Sequence, residues 1–393
     1  MVETVTYTAS GGSVVTASVA VSGVPAGVTL TDIDGGAHLS TVRFPIAVWY
    51  ESVLSAADSA TDAAMGLNTY VVLTADSLYS AVAASGMTVM PQFSLTGTPG
   101  AETVGYLTGD EVDMSITGWW GAPTAAQQSA LNAAIAALPK DGRPLLTNFG
   151  KGIAFGTNVP AAQMMLNSQD IISCDIYWFT DSDVYQNTQG GVLFNGGTSA
   201  LTVAQTRRAS NYGAVVAKMR SLLGFKKPVW GFVENGGPFS YNTTYITPAQ
   251  MRAAVWHSII AGAQGILYFN HSFGGPARSQ HNFRTAYYAP TRAVAAAVNA
   301  QIQSLAAALL GPTATGLVSA PASVKVLAKW NGGAPVIVAG STENVASTVT
   351  FTVAGHVSGT VTVLGESRTI PLVAGVFTDA FADGNTIHIY KVQ

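Results

Sequence analysis

Charge is scarce in this chain. Only 10% of its 393 residues are Asp, Glu, Lys or Arg, while 48% are apolar. That balance excludes the charged, weakly apolar composition of a disordered chain. No basic stripe or recognised motif supports nucleic-acid binding. Cysteine is nearly missing. Cys174 stands alone, so no intrachain disulfide can form, and its setting Ile-Ser-Cys-Asp-Ile predicts an inert buried thiol. No apolar run reaches the ~18 residues of a membrane span. The six histidines lack ligand spacing such as HxxxH, and no metal is expected. No GxGxxG follows the first strand of the central region, which counts against a dinucleotide fold. No cofactor is expected.

Basic residues are also missing early on. Residues 1–139 hold one, Arg43, against eleven acidic side chains. The positive segment of a secretory signal is therefore lacking. The expectation is an extracellular or virion-associated protein that is exported by another route, has lost its leader, or leaves its cell within an assembly. The acidic excess reads either as compositional drift or as a face that docks to a partner.

Three patterns follow one another along the chain. Residues 1–40 alternate Thr, Val, Ser and Gly and predict a short N-terminal β extension or assembly arm. Residues 41–311 alternate short apolar runs with Ala-rich amphipathic segments, the signature of βαβ units. The runs fall at 42–49, 69–75, 87–93, 104–110, 144–149, 171–178, 228–233 and 265–270. Eight strand–helix repeats predict an α/β fold, a closed (β/α)8 TIM barrel. Residues 312–393 alternate with period two and predict a C-terminal antiparallel β-sandwich.

In such barrels chemistry sits at the C-terminal ends of the strands. Those ends carry Trp49 on strand one, Asp110 and Glu111 on strand four, and Asn148 on strand five. Strand six offers Asp175, Tyr177 and Trp178, strand seven Glu234, and strand eight Tyr268 and Asn270. Trp119 and Trp120 lie in the loop after strand four. Aromatic faces stack on the C–H faces of sugars, while carboxylates and amides grip hydroxyls. Trp49, Asp110, Asn148, Asp175, Tyr177, Trp178, Tyr268 and Asn270 are therefore candidates for substrate binding. Two strand-end glutamates across one mouth are the groups that glycoside hydrolysis needs.

From these residues the chain resembles the large clan of retaining (β/α)8 glycoside hydrolases. Gly105-Tyr-Leu-Thr-Gly-Asp-Glu-Val-Asp113 is similar to a strand-four motif of some of these barrels, and Trp230-Gly-Phe-Val-Glu234 to their strand-seven ending. The tail, with Gly365-Glu-Ser-Arg368 and His388-Ile-Tyr390, resembles the sandwich that follows such barrels. The resemblance implies that Glu111 is the acid/base, that Glu234 is the nucleophile, and that Tyr177 orients Glu234. Many members carry Asn before the acid/base; here Asp110 takes that place. A neighbouring carboxylate raises the proton affinity of Glu111, which suits an acid. It is equally consistent with a different or lost activity.

The expectation is a retaining glycosidase acting on a polysaccharide, with the two carboxyls about 5–5.5 Å apart. Two further readings stay open. One is a non-catalytic carbohydrate-binding barrel. Its Thr- and Gly-rich, Lys-poor style resembles tail proteins of viruses that infect actinobacteria, whose target would be a host cell-wall glycan such as arabinogalactan and whose partners would be other virion subunits. The other is a structural barrel that has lost its chemistry.

Overall fold

The computed structural model describes residues 2–8, 14–20, 23–31, 43–114, 123–185, 189–330 and 335–393. At the N-terminus Val2–Thr8 and Val14–Ala20 form a two-stranded antiparallel hairpin, in register from Val2↔Ala20 to Thr8↔Val14.

The central region is an eight-stranded parallel barrel. In chain order its strands are Ile46–Glu51, Thr69–Leu73, Thr88–Met90, Tyr106–Asp110, Leu145–Phe149, Ile171–Cys174, Val229–Glu234 and Gly265–Phe269. They are called barrel strands one to eight below. Strand eight pairs with strand one, Ile266 opposite Ile46, which joins the last strand in the chain to the first. The seam lies between strands three and four, where a single Val89–Thr103 bridge and Leu107 N to Pro91 O at 3.0 Å replace a ladder. The ring is therefore nearly closed.

The strands read as unbroken apolar runs because both faces are buried. Ala47, Trp49, Leu107, Leu146, Ile171, Trp230, Phe232 and Leu267 fill the lumen. Ile46, Val48, Ile172, Val229, Val233, Ile266 and Tyr268 face the surrounding helices. Trp230 decides its neighbour: a Cβ on Gly265, its register partner, would lie 2.7 Å from the indole. Several helices start on capping boxes, with Ser55, Thr124, Thr202 and Thr247 as N-caps. Each cap contributes about 1 kcal/mol, and it fixes where a strand-end loop must stop.

After the helix Ala289–Ser304 the chain enters a ten-stranded antiparallel sheet, the expected β-sandwich. Its core includes Phe351, Phe377, Phe381 and Tyr390, with the rings of Phe351 and Phe377 stacked at 4.7 Å. The N-terminal segment contributes here too. Thr29–Thr31 is an edge strand of this sheet, paired with Thr313–Thr315. The tail motifs converge on one polar cluster. Arg368 makes two hydrogen bonds to Asp379 (2.9 and 2.7 Å), Tyr390 donates to the same carboxylate at 3.0 Å, and His388 Nδ1 sits 2.5 Å from Glu366. Among the described residues no helix is long and apolar enough to cross a membrane.

Candidate active site

The strand-four carboxylates lie where the ring opens. Asp110 ends the strand and is exposed. Glu111 follows in the left-handed region, φ 44°, with its N–H donating to Asn148 O at 2.9 Å. A non-glycine residue held there costs on the order of 1 kcal/mol or more. The turn is secured by Asp113, whose buried carboxylate accepts from Gly150 N (2.9 Å) and Ile153 N (2.7 Å). Asp113 therefore anchors the short helix Lys151–Phe155.

Asn148 on strand five is fully buried, and its orientation is set by Ser173, whose hydroxyl donates to Oδ1 at 2.8 Å. The amide nitrogen then serves two acids, Asp110 at 2.9 Å and Asp175 at 3.0 Å. Asp175 lies just past strand six. Burial first, and the Asp110 charge second, push the Glu111 carboxyl up to about 7. The same desolvation, followed by the charges of Glu111 and Asp110, carries Asp175 well above the usual carboxylate range. Glu111, Asp110, Asn148 and Asp175 thus meet as one constellation. No group of three or more His, Cys, Asp or Glu among the described residues is arranged to hold a metal ion.

Glu234 ends strand seven at the same end of the ring but in other surroundings. It has no solvent exposure. Oε1 accepts from Phe179 N at 3.0 Å and from the Tyr212 hydroxyl, and Oε2 accepts from the Thr180 hydroxyl. Burial raises its carboxyl to about 7 against the pull of these three donors. The tyrosine bound to Glu234 is Tyr212. Tyr177, expected in that role, is not among the donors to Glu234; its ring packs in the lumen against Phe232, Phe239 and Phe269.

Several expected sugar contacts are core. Tyr268 is fully buried and donates to Asn299 Oδ1 at 2.9 Å; with Leu267 facing inward, period two turns Tyr268 toward the helices. Trp178 has no exposure and packs edge-on against Phe155 and Phe194. Strand six stops at Cys174, so strand alternation no longer aims Trp178. Trp49 points into the lumen against Phe232. Asn270 clasps strand ends together: it donates to Glu51 Oε1 (2.5 Å) and accepts from Asn235 (2.8 Å) and Phe283 N (3.0 Å). Trp119 and Trp120 lie outside the described residues. Cys174 is buried, as its setting predicts.

Glu51 shares the end of strand one with Trp49 and is fully buried, with its second oxygen on His281 Nδ1. Tyr50 (43%) is exposed within strand one, and the loops after strands three, seven and eight expose Phe93 (41%), Tyr241 (53%) and Phe273 (45%). Two of these extend stacked pairs, Phe239–Tyr241 at 5.1 Å and His271–Phe273 at 5.9 Å. Such rings offer flat apolar faces at the mouth. A strand-end aromatic is the signal that marks Trp49 and Trp178; Tyr50 carries it as well, whereas Phe93, Tyr241 and Phe273 lie in the loops beyond the strand ends.

No protein-family model and no curated protein matches the chain. Among solved structures it is similar to a GH30 endoxylanase from Clostridium papyrosolvens C71, with a TM-score of 0.50 at 12% identity over 94% of this chain and 99% of the other. It is also similar to a noncanonic maltogenic alpha-amylase from Thermotoga neapolitana, with a TM-score of 0.46 at 8% identity over 90% and 99% of the two chains. At such identities the likeness is one of fold, and its structural neighbours are glycoside hydrolases.

Proposed function

We propose that this protein is a glycoside hydrolase that cleaves a polysaccharide at the C-terminal mouth of its barrel, with Glu111 as the proton donor. The observation that carries the reading is Glu111 itself, a strand-four carboxyl raised to about 7 beside Asp110. A group with that affinity is half protonated at neutral pH, which a leaving-group acid requires. The exposed aromatic loops and the shared fold support the same class of substrate. In a retaining route Glu234 attacks the anomeric carbon and Glu111 then draws a proton from water. That route needs the loop after strand six to withdraw Phe179 N or Thr180 from the Glu234 oxygens. The setting we propose is extracellular or virion-associated, with a host envelope glycan as the target.

The test is hydrolysis of xylan, α-glucan and arabinogalactan, scored by released reducing ends. Glu111→Gln is expected to reduce cleavage of the responsive polymer by at least ~10²-fold. Wild-type turnover in that variant overturns the assignment. One observation favours a second reading, a barrel that binds glycan without cutting it: both oxygens of Glu234 are engaged inside the protein. Retention of a polysaccharide with no release of reducing ends by the wild type selects that reading.

A further inference from the structure

Barrel and sandwich do not close on each other completely. A cleft of about 570 Å³ lies between the helices Ser210–Leu222 and Pro248–Ile260 and the sandwich strand Val324–Lys329. Its floor is low because the side chains there are short. Gly213 lets the two helices touch, since a Cβ on it would lie 2.6 Å from His257 O. Ala214 and Ala217 continue the trough along the first helix, and Ala261 borders it at the end of the second. Most polar side chains that line the cleft are engaged within the protein. Asn211 donates to Gln205 O and Thr206 O at 2.8 and 2.7 Å, and Thr342 donates to Ser323 O at 3.0 Å. Arg208 forks onto Glu343 at 3.2 and 3.1 Å.

One charge is left over. Leu327 packs into the barrel core, so strand alternation turns Lys325, two residues earlier, to the same side of the sheet. Its register partner is Gly340, against which the His257 ring docks. The lining holds no Asp or Glu, and none of the ion pairs among the described residues includes Lys325. The cleft thus joins an apolar trough to one uncompensated cation. Its volume falls within the roughly 300–1,000 Å³ of small-molecule sites, which favour such junctions between domains. We propose that it binds an amphiphilic anion, whose acyl chain lies along Ala214, Ala217 and Ile260 and whose carboxylate meets Lys325. A sugar fits poorly. It needs flat aromatic faces and several free polar partners, and among Phe, Tyr and Trp the lining offers Phe194 alone. Neither Glu111 nor Glu234 lines the cleft, and the proposal stands whether or not the barrel mouth cuts a glycan.

The experiment titrates decanoate into the full chain, below the concentration at which it forms micelles. Binding is read by calorimetry and by the NMR signal of the His257 ring, which lines the cleft and is assigned by its loss in His257→Gln. Decanoate is expected to saturate one site and to shift that signal. Decyltrimethylammonium, the same chain length with a cationic head, is expected to bind more weakly. Lys325→Glu, at an exposed position, is expected to weaken decanoate by about 3–10-fold, the worth of reversing one exposed charge contact. Ala217→Trp fills the trough from an exposed helix position and is expected to abolish saturation. Should Ala217→Trp fail to fold, Lys325→Glu and the cationic amphiphile decide. The proposal is overturned if decanoate does not saturate, if both amphiphiles bind equally, or if decanoate binds Lys325→Glu as tightly as the wild type. A His257 shift produced by xylo-oligosaccharide and not by decanoate assigns the cleft to sugar and overturns it as well.

Discussion

The hydroxyl of Tyr212 donates to Oε1 of Glu234 from Ser210–Leu222, a helix outside the ring of strands. Through this contact a strand-seven carboxylate ties the helix layer to the loop after strand six, which supplies Phe179 N and Thr180. Tyr212→Phe leaves the buried acceptor short of one donor and is expected to cost about 1–3 kcal/mol, read by chemical denaturation. It also raises the Glu234 midpoint, because the lost hydrogen bond favoured the charged form. The pH dependence has a defined sign. Glu234 is raised from 4.5 to about 7, so the folded state binds its proton more tightly than the unfolded chain does. Its contribution is fully present below about 4.5 and is lost as pH rises toward 7. Glu234→Gln removes that slope. The difference in stability between wild type and variant is expected to shrink across this window, and a gap constant with pH would contradict the assigned burial.

Much of this architecture is legible in the sequence, for a simple reason. Strands buried on both faces must be continuous apolar runs, and Thr247-Pro248 or Ser55 with Asp58 mark helix starts by their own chemistry. Strand four and strand seven can be counted that way, which locates Asp110, Glu111 and Glu234. What a side chain meets is a different matter. Tyr212 lies in mid-helix with no local mark, and only the packed fold brings its hydroxyl to Glu234. Tyr268 and Trp178 read from the sequence as strand-end aromatics, yet both are core, while Tyr241 and Phe273 in the loops beyond are exposed. Tyr268 is turned outward by strand alternation, and Trp178 follows a strand that ends four residues earlier. The edge strand Thr29–Thr31 looks like part of an N-terminal arm because its partner is nearly 300 residues away.

The exposed rings at the mouth are available for an apolar partner. Tyr241 and Phe273 are each backed by a stacked neighbour, which holds the ring in place before any ligand arrives. Tyr241→Ala and Phe273→Ala are each expected to weaken polysaccharide retention in affinity electrophoresis by about 2–10-fold, the worth of one aromatic stacking contact, with little change in thermal stability. Phe225 serves as the control. It is 54% exposed but precedes strand seven, at the opposite end of the ring. Phe225→Ala is expected to leave retention unchanged, and an equal loss there would show that the rings act through general stickiness rather than a site.

Barrel and sandwich meet at His257, whose response to acid follows from its surroundings. The residue is buried on the helix Pro248–Ile260, and its Nε2 donates to Ser341 O of the sandwich at 2.9 Å. A Cβ on Gly340 would lie 2.7 Å from the ring, so the strand needs glycine there for the ring to dock. Burial pushes the imidazole down to about 4. The unfolded chain therefore binds this proton more readily than the folded one. The stability that His257 lends is full above about 6.5 and is lost as pH falls toward 4. His257→Gln keeps an N–H donor near Ser341 and cannot titrate. Against wild type it is expected to lose less stability between pH values of about 6.5 and 4, by on the order of 1–2 kcal/mol. The carboxyls of Glu111 and Glu234 change stability in the opposite direction over part of this range, so the comparison must be made between variants at each pH. Equal losses in His257→Gln and wild type would mean that the imidazole takes up its proton within the folded junction, and that the contact with Ser341 does not hold it neutral.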